Sequence, residues 1–578
     1  MRDGWMVGLP VALACLYLES YVEAANTFAM TWSTMNFGPD GPWRAVQIQV
    51  GSQQSTVSLY PGGEYSSYIF TPSMCSNASL GTVCYAQTAG LYDPTLSSSS
   101  AFGNVSFQPS LDFSEGALQI GGSPPKIGTD VWRIGNSMEP LTDMDIAIVA
   151  SAWGTLPDGT TYPLSVGSLG LGGPGTINQT FGFGGDTPSF NATLLPGWLS
   201  TEAPSNKILS SNSFGLHIGS VYPNIAPSLY LGGFDENRAL GTVSTQQGTP
   251  DTVGAIDLLD VSLTVDSGGS PWTFGRLDGL LGSGNSSIGG KLPIAINSLA
   301  PYIHLPKSTC DAIAAQLPVT YNAKYGLYFW NTADPQYTKI ISSPSSLTFT
   351  FRASESTKNL TINVPFNLLN LTLTAPLTTN PTSYFPCKAE TQTHYQLGRA
   401  FLQAAFVGAN WNAYNGSAAW WLAQAPGPNI PSQANVIVID NTDTTITGST
   451  DEWSSTWRGY WTPLPQSNTS GTGSNPKNTS TGLSTGAKAG IGVGASVGVI
   501  AALTGAFLLW SRHRRSSQAP DYTTAPQEPA SYYNSKPPVS YHSPAVETSA
   551  VSSTSYSIPP YGRAEVDGGM PERYELHT

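Results

Sequence analysis

The uncharged run Ala489–Trp510 constrains this chain more than any other stretch, because it is long enough to cross a bilayer core of roughly 30 Å as a helix. Arg512, His513, Arg514 and Arg515 follow it directly, so the positive flank is cytoplasmic and everything before it lies outside. Glycosylation signals agree. Ten Asn-x-Ser/Thr sequons, at Asn77, Asn104, Asn178, Asn191, Asn285, Asn359, Asn370, Asn415, Asn468 and Asn478, all precede the run. At the other end, Arg2, an apolar stretch from Trp5 to Leu18 and small residues at Ala24 and Ala25 predict a secretory signal over residues 1–24. The reading is a single-pass, type I glycoprotein of the plasma membrane.

Residues 429–488 are rich in Ser, Thr, Asn and Gly and are predicted to be a glycosylated stalk, since such a segment buries little apolar surface. Residues 511–578, rich in Pro, Ser and Tyr, are predicted to be a disordered cytoplasmic tail. Gly490, Gly494 and Gly498 form a small-residue ridge that can pair two membrane helices into a weak homodimer, although glycine is also common in such helices for other reasons. Only 11% of the 578 residues are charged, and the net charge is −13, which excludes a basic face for nucleic acid. Cys15 leaves with the signal, so Cys75, Cys84, Cys310 and Cys387 remain, and in an oxidising compartment four cysteines allow three pairings. The six His are scattered and no Cys-x-x-Cys occurs, so neither metal nor cofactor is expected.

The ectodomain is organised around Leu292–Leu317. Ile294 and Ile296 alternate with small or polar residues and predict a strand ending at Asn297, and a second apolar run spans Tyr302–Leu305. After Pro306, Ser308 is placed to cap a helix whose apolar face is Ile313, Ala314 and Leu317.

This order resembles the second active-site segment of pepsin-like aspartic proteases, in which Asp-Thr/Ser-Gly ends the first strand. The resemblance extends in chain order through WRAVQIQV at 43–50, VSLYPGGEYSSYIF at 57–70, LYDPTLSSSSAF at 91–102, GTDVWRIGN at 128–136, VGSLGLGG at 166–173, LYLGGFDENRALG at 229–241 and YQLGRAFLQAAFVGANW at 395–411. It implies a mainly β, two-lobed acid-protease fold over residues 40–428, with Cys75 bonded to Cys84 and Cys310 to Cys387, one bridge in each lobe. The layout as a whole is similar to the membrane-anchored aspartic-protease-like proteins of filamentous fungi.

The two catalytic positions are altered. Aligning on the aromatic pair puts Pro61 on the first Asp position, and a shift of one puts Tyr60 there; Asn297 and Ser298 occupy the second motif. Amides and prolines cannot share a proton as two carboxylates do. Asp266-Ser267-Gly268 spells the motif elsewhere, but Gly269, Ser270 and Pro271 after it predict a hairpin turn. The expectation is therefore a catalytically inactive protein that binds an extended peptide or a cell-wall polymer in its cleft. Two alternatives stand beside it: an active endopeptidase with a non-standard pair, and a structural wall glycoprotein or stress sensor.

Overall fold

The seven strands of the first sheet gather around Ser55–Gly62, whose last six residues are all buried. The computed structural model describes residues 27–466 except 63–66, 77–82, 107–117, 121–125, 136–139, 173–178, 182–189, 193–208, 249–253, 355–357, 391–394 and 415–416. The signal, membrane run and tail lie outside the described residues, as do Gly490, Gly494 and Gly498 and the sequons at Asn77, Asn178, Asn415, Asn468 and Asn478. Among the described residues, no helix is long and apolar enough to cross a membrane.

Ser55–Gly62 pairs antiparallel with Val46–Val50 and parallel with Gly167–Gly170. Gly167–Gly170 lies antiparallel to Tyr68–Phe70, which runs parallel to Leu141–Val149. The second half repeats this pattern. Leu292–Ile296 pairs antiparallel with Ala255–Val265 and parallel with Gln396–Leu397. Gln396–Leu397 is antiparallel to Ile303–Pro306, which is parallel to Cys387–Glu390. In each half, then, two consecutive strands are separated by a third that arrives from much later in the chain.

That insertion is tight. A Cβ on Gly167 would stand 2.0 Å from the Tyr68 carbonyl oxygen, and one on Gly398 would stand 2.2 Å from that of Ala300. Only glycine lets the late strand enter beside the bend. The two halves share a six-stranded sheet, ordered Phe28–Ala29, Ser228–Leu231, Ser213–His217, Ala405–Asn410, Ala418–Gln424 and Leu240–Gly248. The predicted mainly β character is thus observed.

Both implied disulfides are present, Cys75–Cys84 and Cys310–Cys387. The helix after Pro306 is also present, as Lys307–Ala314, but Ser308 lies inside it and no side chain caps its start.

The predicted boundary at 428 is too early, and the stalk does not begin at 429. Val436–Val438 pairs with Gly233–Asp235, Ser449 bridges Leu240, and Leu464 bridges Gly269. Trp457 is fully buried and stacks on Trp461 with ring centroids 5.1 Å apart, while Trp453 packs edge-on against both. The polar composition of this segment hides widely spaced Ile430, Ile439, Trp453, Trp457 and Trp461, which have no period of their own because they fill grooves on a surface already built.

Candidate functional site at the junction of the two halves

The bends after Ser55–Gly62 and Leu292–Ile296 come together. The Ser298 hydroxyl donates to the Pro61 carbonyl oxygen at 2.6 Å, and a Cβ on Gly62 would meet the Leu299 side chain at 2.8 Å. Asn297 holds its own turn: its Oδ1 accepts from the Leu299 N–H at 2.9 Å, and its Nδ2 donates to Gln396 Oε1 at 3.1 Å. Tyr60, Pro61, Asn297 and Ser298 are therefore brought to one place. The side chains at this crossing are an amide, hydroxyls and a proline ring; none can carry a proton between two oxygens as a paired carboxylate does.

Asp266 is elsewhere. It follows Ala255–Val265 on the hairpin that returns as Arg276–Leu277, its side chain is exposed, and its N–H is bonded to the Pro344 carbonyl. Gly268 supplies the positive φ of the turn.

Beneath the crossing lies a group that the motif comparison passes over. Arg399, the first residue of the short helix Arg399–Leu402, is 5% exposed. Its Nη1 donates to the Leu299 carbonyl at 2.7 Å, and its Nη2 stands 3.8 Å from Asp40 Oδ2. The guanidinium lies 4.1 Å above the Tyr60 ring and 5.2 Å above that of Trp43. Trp43 Nε1 in turn donates to Asp40 Oδ1 at 2.9 Å. One cation therefore ties the second half's bend to three side chains of the first half. Its signal in the sequence is an arginine inside the apolar run Leu397–Leu402, while Asp40, between glycines and prolines, reads only as a turn.

A cavity of about 100 Å³ adjoins this network. Tyr60, Tyr68, Phe70, Leu156, Tyr162 and Ser168 wall it from the first half, and Leu299, Tyr302, His304, Tyr325, Lys388 and Arg399 from the second. Burial pushes the phenols of Tyr60, Tyr162 and Tyr302 well above their ordinary range, so all three remain protonated. The charged groups of the wall are engaged locally. His304 Nδ1 meets Glu390 at 2.6 Å, Asp40 faces Arg399, and Lys388 Nζ donates to the Tyr325 carbonyl at 2.7 Å. Among the described residues, no group of His, Cys, Asp and Glu could hold a metal ion.

Of the sequons within the described residues, Asn359 is exposed at the start of Asn359–Pro365, and Asn285 and Asn370 are half-buried. Asn104 lies in Ala101–Ser106 and Asn191 in Phe190–Ala192. No protein-family model matches this chain, and no curated protein matches it.

Proposed function

We propose that this chain is a cell-surface, aspartic-protease-like glycoprotein that has lost hydrolysis and keeps its cleft for holding an extended polymer. The observation that carries the reading is the Ser298–Pro61 hydrogen bond at 2.6 Å, at the point where the two related bends meet. In a pepsin-like enzyme two carboxylates would share a proton there, one activating water while the other protonates the substrate carbonyl. Here an amide, two hydroxyl-bearing side chains and a proline stand in their place. Support for the fold assignment is the repeated strand order in the two halves, the shared six-stranded sheet and one disulfide in each half. The predicted membrane run and the sequons on its N-terminal side support the surface location.

The test is incubation of purified full-length protein with denatured casein between pH 3 and 5, with and without pepstatin. The reading predicts no cleavage above the buffer control. Pepstatin-sensitive cleavage that disappears in Asp266→Asn would overturn it in favour of an active endopeptidase.

A further inference from the structure

We propose that the cavity between the halves is a subsite for one neutral sugar ring, so that the polymer held in the cleft is a neutral polysaccharide. The inference rests on the non-hydrolytic binding reading and deepens it.

Three hydroxyls carry the argument. Tyr60 Oη, Thr155 Oγ1 and Ser168 Oγ are all buried, all belong to residues that wall the cavity, and none has a hydrogen-bond partner among the described residues. A buried polar group left unpaired is costly, so three around one cavity mark a place where a ligand can supply partners that the protein does not. A hydroxyl both donates and accepts, and the ligand group that complements three of them in the same way is another set of hydroxyls.

The remaining wall selects for a ring. Tyr60, Tyr68, Tyr162, Tyr302 and Tyr325 line the cavity, and aromatic rings suit the C–H faces of a pyranose. An apolar peptide side chain would fill the same volume but leave the three hydroxyls unpaired. A basic group is disfavoured because the wall carboxylate Asp40 already faces Arg399, and an acidic one because the wall cations are already engaged, Arg399 by Asp40, His304 by Glu390 and Lys388 by the Tyr325 carbonyl. An added charge would be buried without a partner of its own. At about 100 Å³, by the ~10–15 Å³ that one water needs, the cavity has room for several waters, and so for a single ring rather than a strand of polymer passing through.

The experiment is isothermal calorimetry on full-length protein with pentasaccharides of β-1,3-glucose, β-1,4-N-acetylglucosamine and α-1,6-mannose, against oligogalacturonate and an apolar hexapeptide. One of the neutral pentasaccharides is expected to bind, with Tyr60→Phe and Ser168→Ala each weakening it about five-fold and the double variant about twenty-fold. Because these hydroxyls have no hydrogen-bond partner among the described residues, both variants should keep a urea midpoint close to the parent's, which separates lost binding from lost folding. Binding of the hexapeptide or of oligogalacturonate in preference to all three neutral sugars would overturn the inference, as would neutral-sugar binding indifferent to both substitutions. Those outcomes leave the casein result unchanged, so failure of the subsite and failure of the inactive-protease reading remain distinct.

Discussion

Arg399→Met tests whether one buried cation fastens the two halves together. The substitution keeps most of the side-chain volume and removes the charge. It deletes the 2.7 Å bond to the Leu299 carbonyl, and a hydrogen bond from a charged donor contributes about 1.5–3 kcal/mol. It also strands Asp40, which is 7% exposed and has Arg399 as its facing cation at 3.8 Å. Breaking a buried ion pair from one side costs about 3–5 kcal/mol. These two contributions overlap, and Asp40 keeps its bond from Trp43 Nε1, so the low end applies: about 3 kcal/mol. Asp40→Asn in the Arg399→Met background should recover about 1–2 kcal/mol, because an amide at this position needs no counter-ion. Urea unfolding followed by tryptophan fluorescence measures all four corners of the cycle, and the network should be insensitive to salt because it is buried. A loss below about 1 kcal/mol for Arg399→Met, or an Asp40→Asn effect equal in both backgrounds, would refute the reasoning.

His217 is fully buried, and burial, reinforced by the Arg238 cation, holds its pKa down at about 3 against an ordinary 6.5. The folded state therefore favours the neutral ring, so its contribution is complete above pH 6.5 and is lost as pH falls from there toward 3. The loss should reach about 2 kcal/mol by pH 5, and His217→Gln should flatten that slope when urea midpoints at pH 8 and pH 5 are compared. Gly62→Ala should cost about 1–3 kcal/mol through its 2.8 Å clash with Leu299, and the added Leu299→Ala should return most of the clash in the same assay. The Cys310–Cys387 bridge joins positions 77 apart, so replacing both cysteines by alanine should lower stability by about 4 kcal/mol in urea titration.

Local order at the second bend is legible in the sequence. The alternation of Ile294 and Ile296 gives the strand Leu292–Ile296, and the helix after Pro306 begins two residues earlier than its cap signal indicates. The hairpin at Asp266 is readable because Gly-Ser-Pro composition is a local signal, whereas the four cysteines alone leave three pairings open and only the family resemblance implies the two bridges observed. The network beneath the bends is not readable. Asp40 and Arg399 are more than three hundred residues apart, and nothing in the sequence near Asp40 distinguishes a buried partner from a turn residue. The tryptophan-bearing segment after residue 428 is hidden for a related reason: composition averages over a window, whereas Trp457 needs only one groove, over Gly427, in which to bury itself.

The same packing leads to a stricter expectation for Pro61→Asp with Asn297→Asp, the variant that places a carboxylate on each of the two bends. It should remain inactive on denatured casein from pH 3 to 5. Leu299 closes against Gly62 at the crossing, so the space a catalytic water would need between the two new acids is filled by a branched side chain. Arg399, bonded to the Leu299 carbonyl and within 3.4 Å of that of Ser298, would sit beside the new acid at 297. A cation that close favours ionisation and lowers a carboxyl pKa by about 1–3 units, whereas the shared proton of a catalytic pair requires one member to stay protonated. Detecting pepstatin-sensitive peptides from the double variant would show that the missing acids were the only obstacle. Silence that persists until Leu299→Gly and Arg399→Asp are added would show that the leucine and the cation, and not the lack of two carboxylates alone, keep this crossing from hydrolysing a peptide.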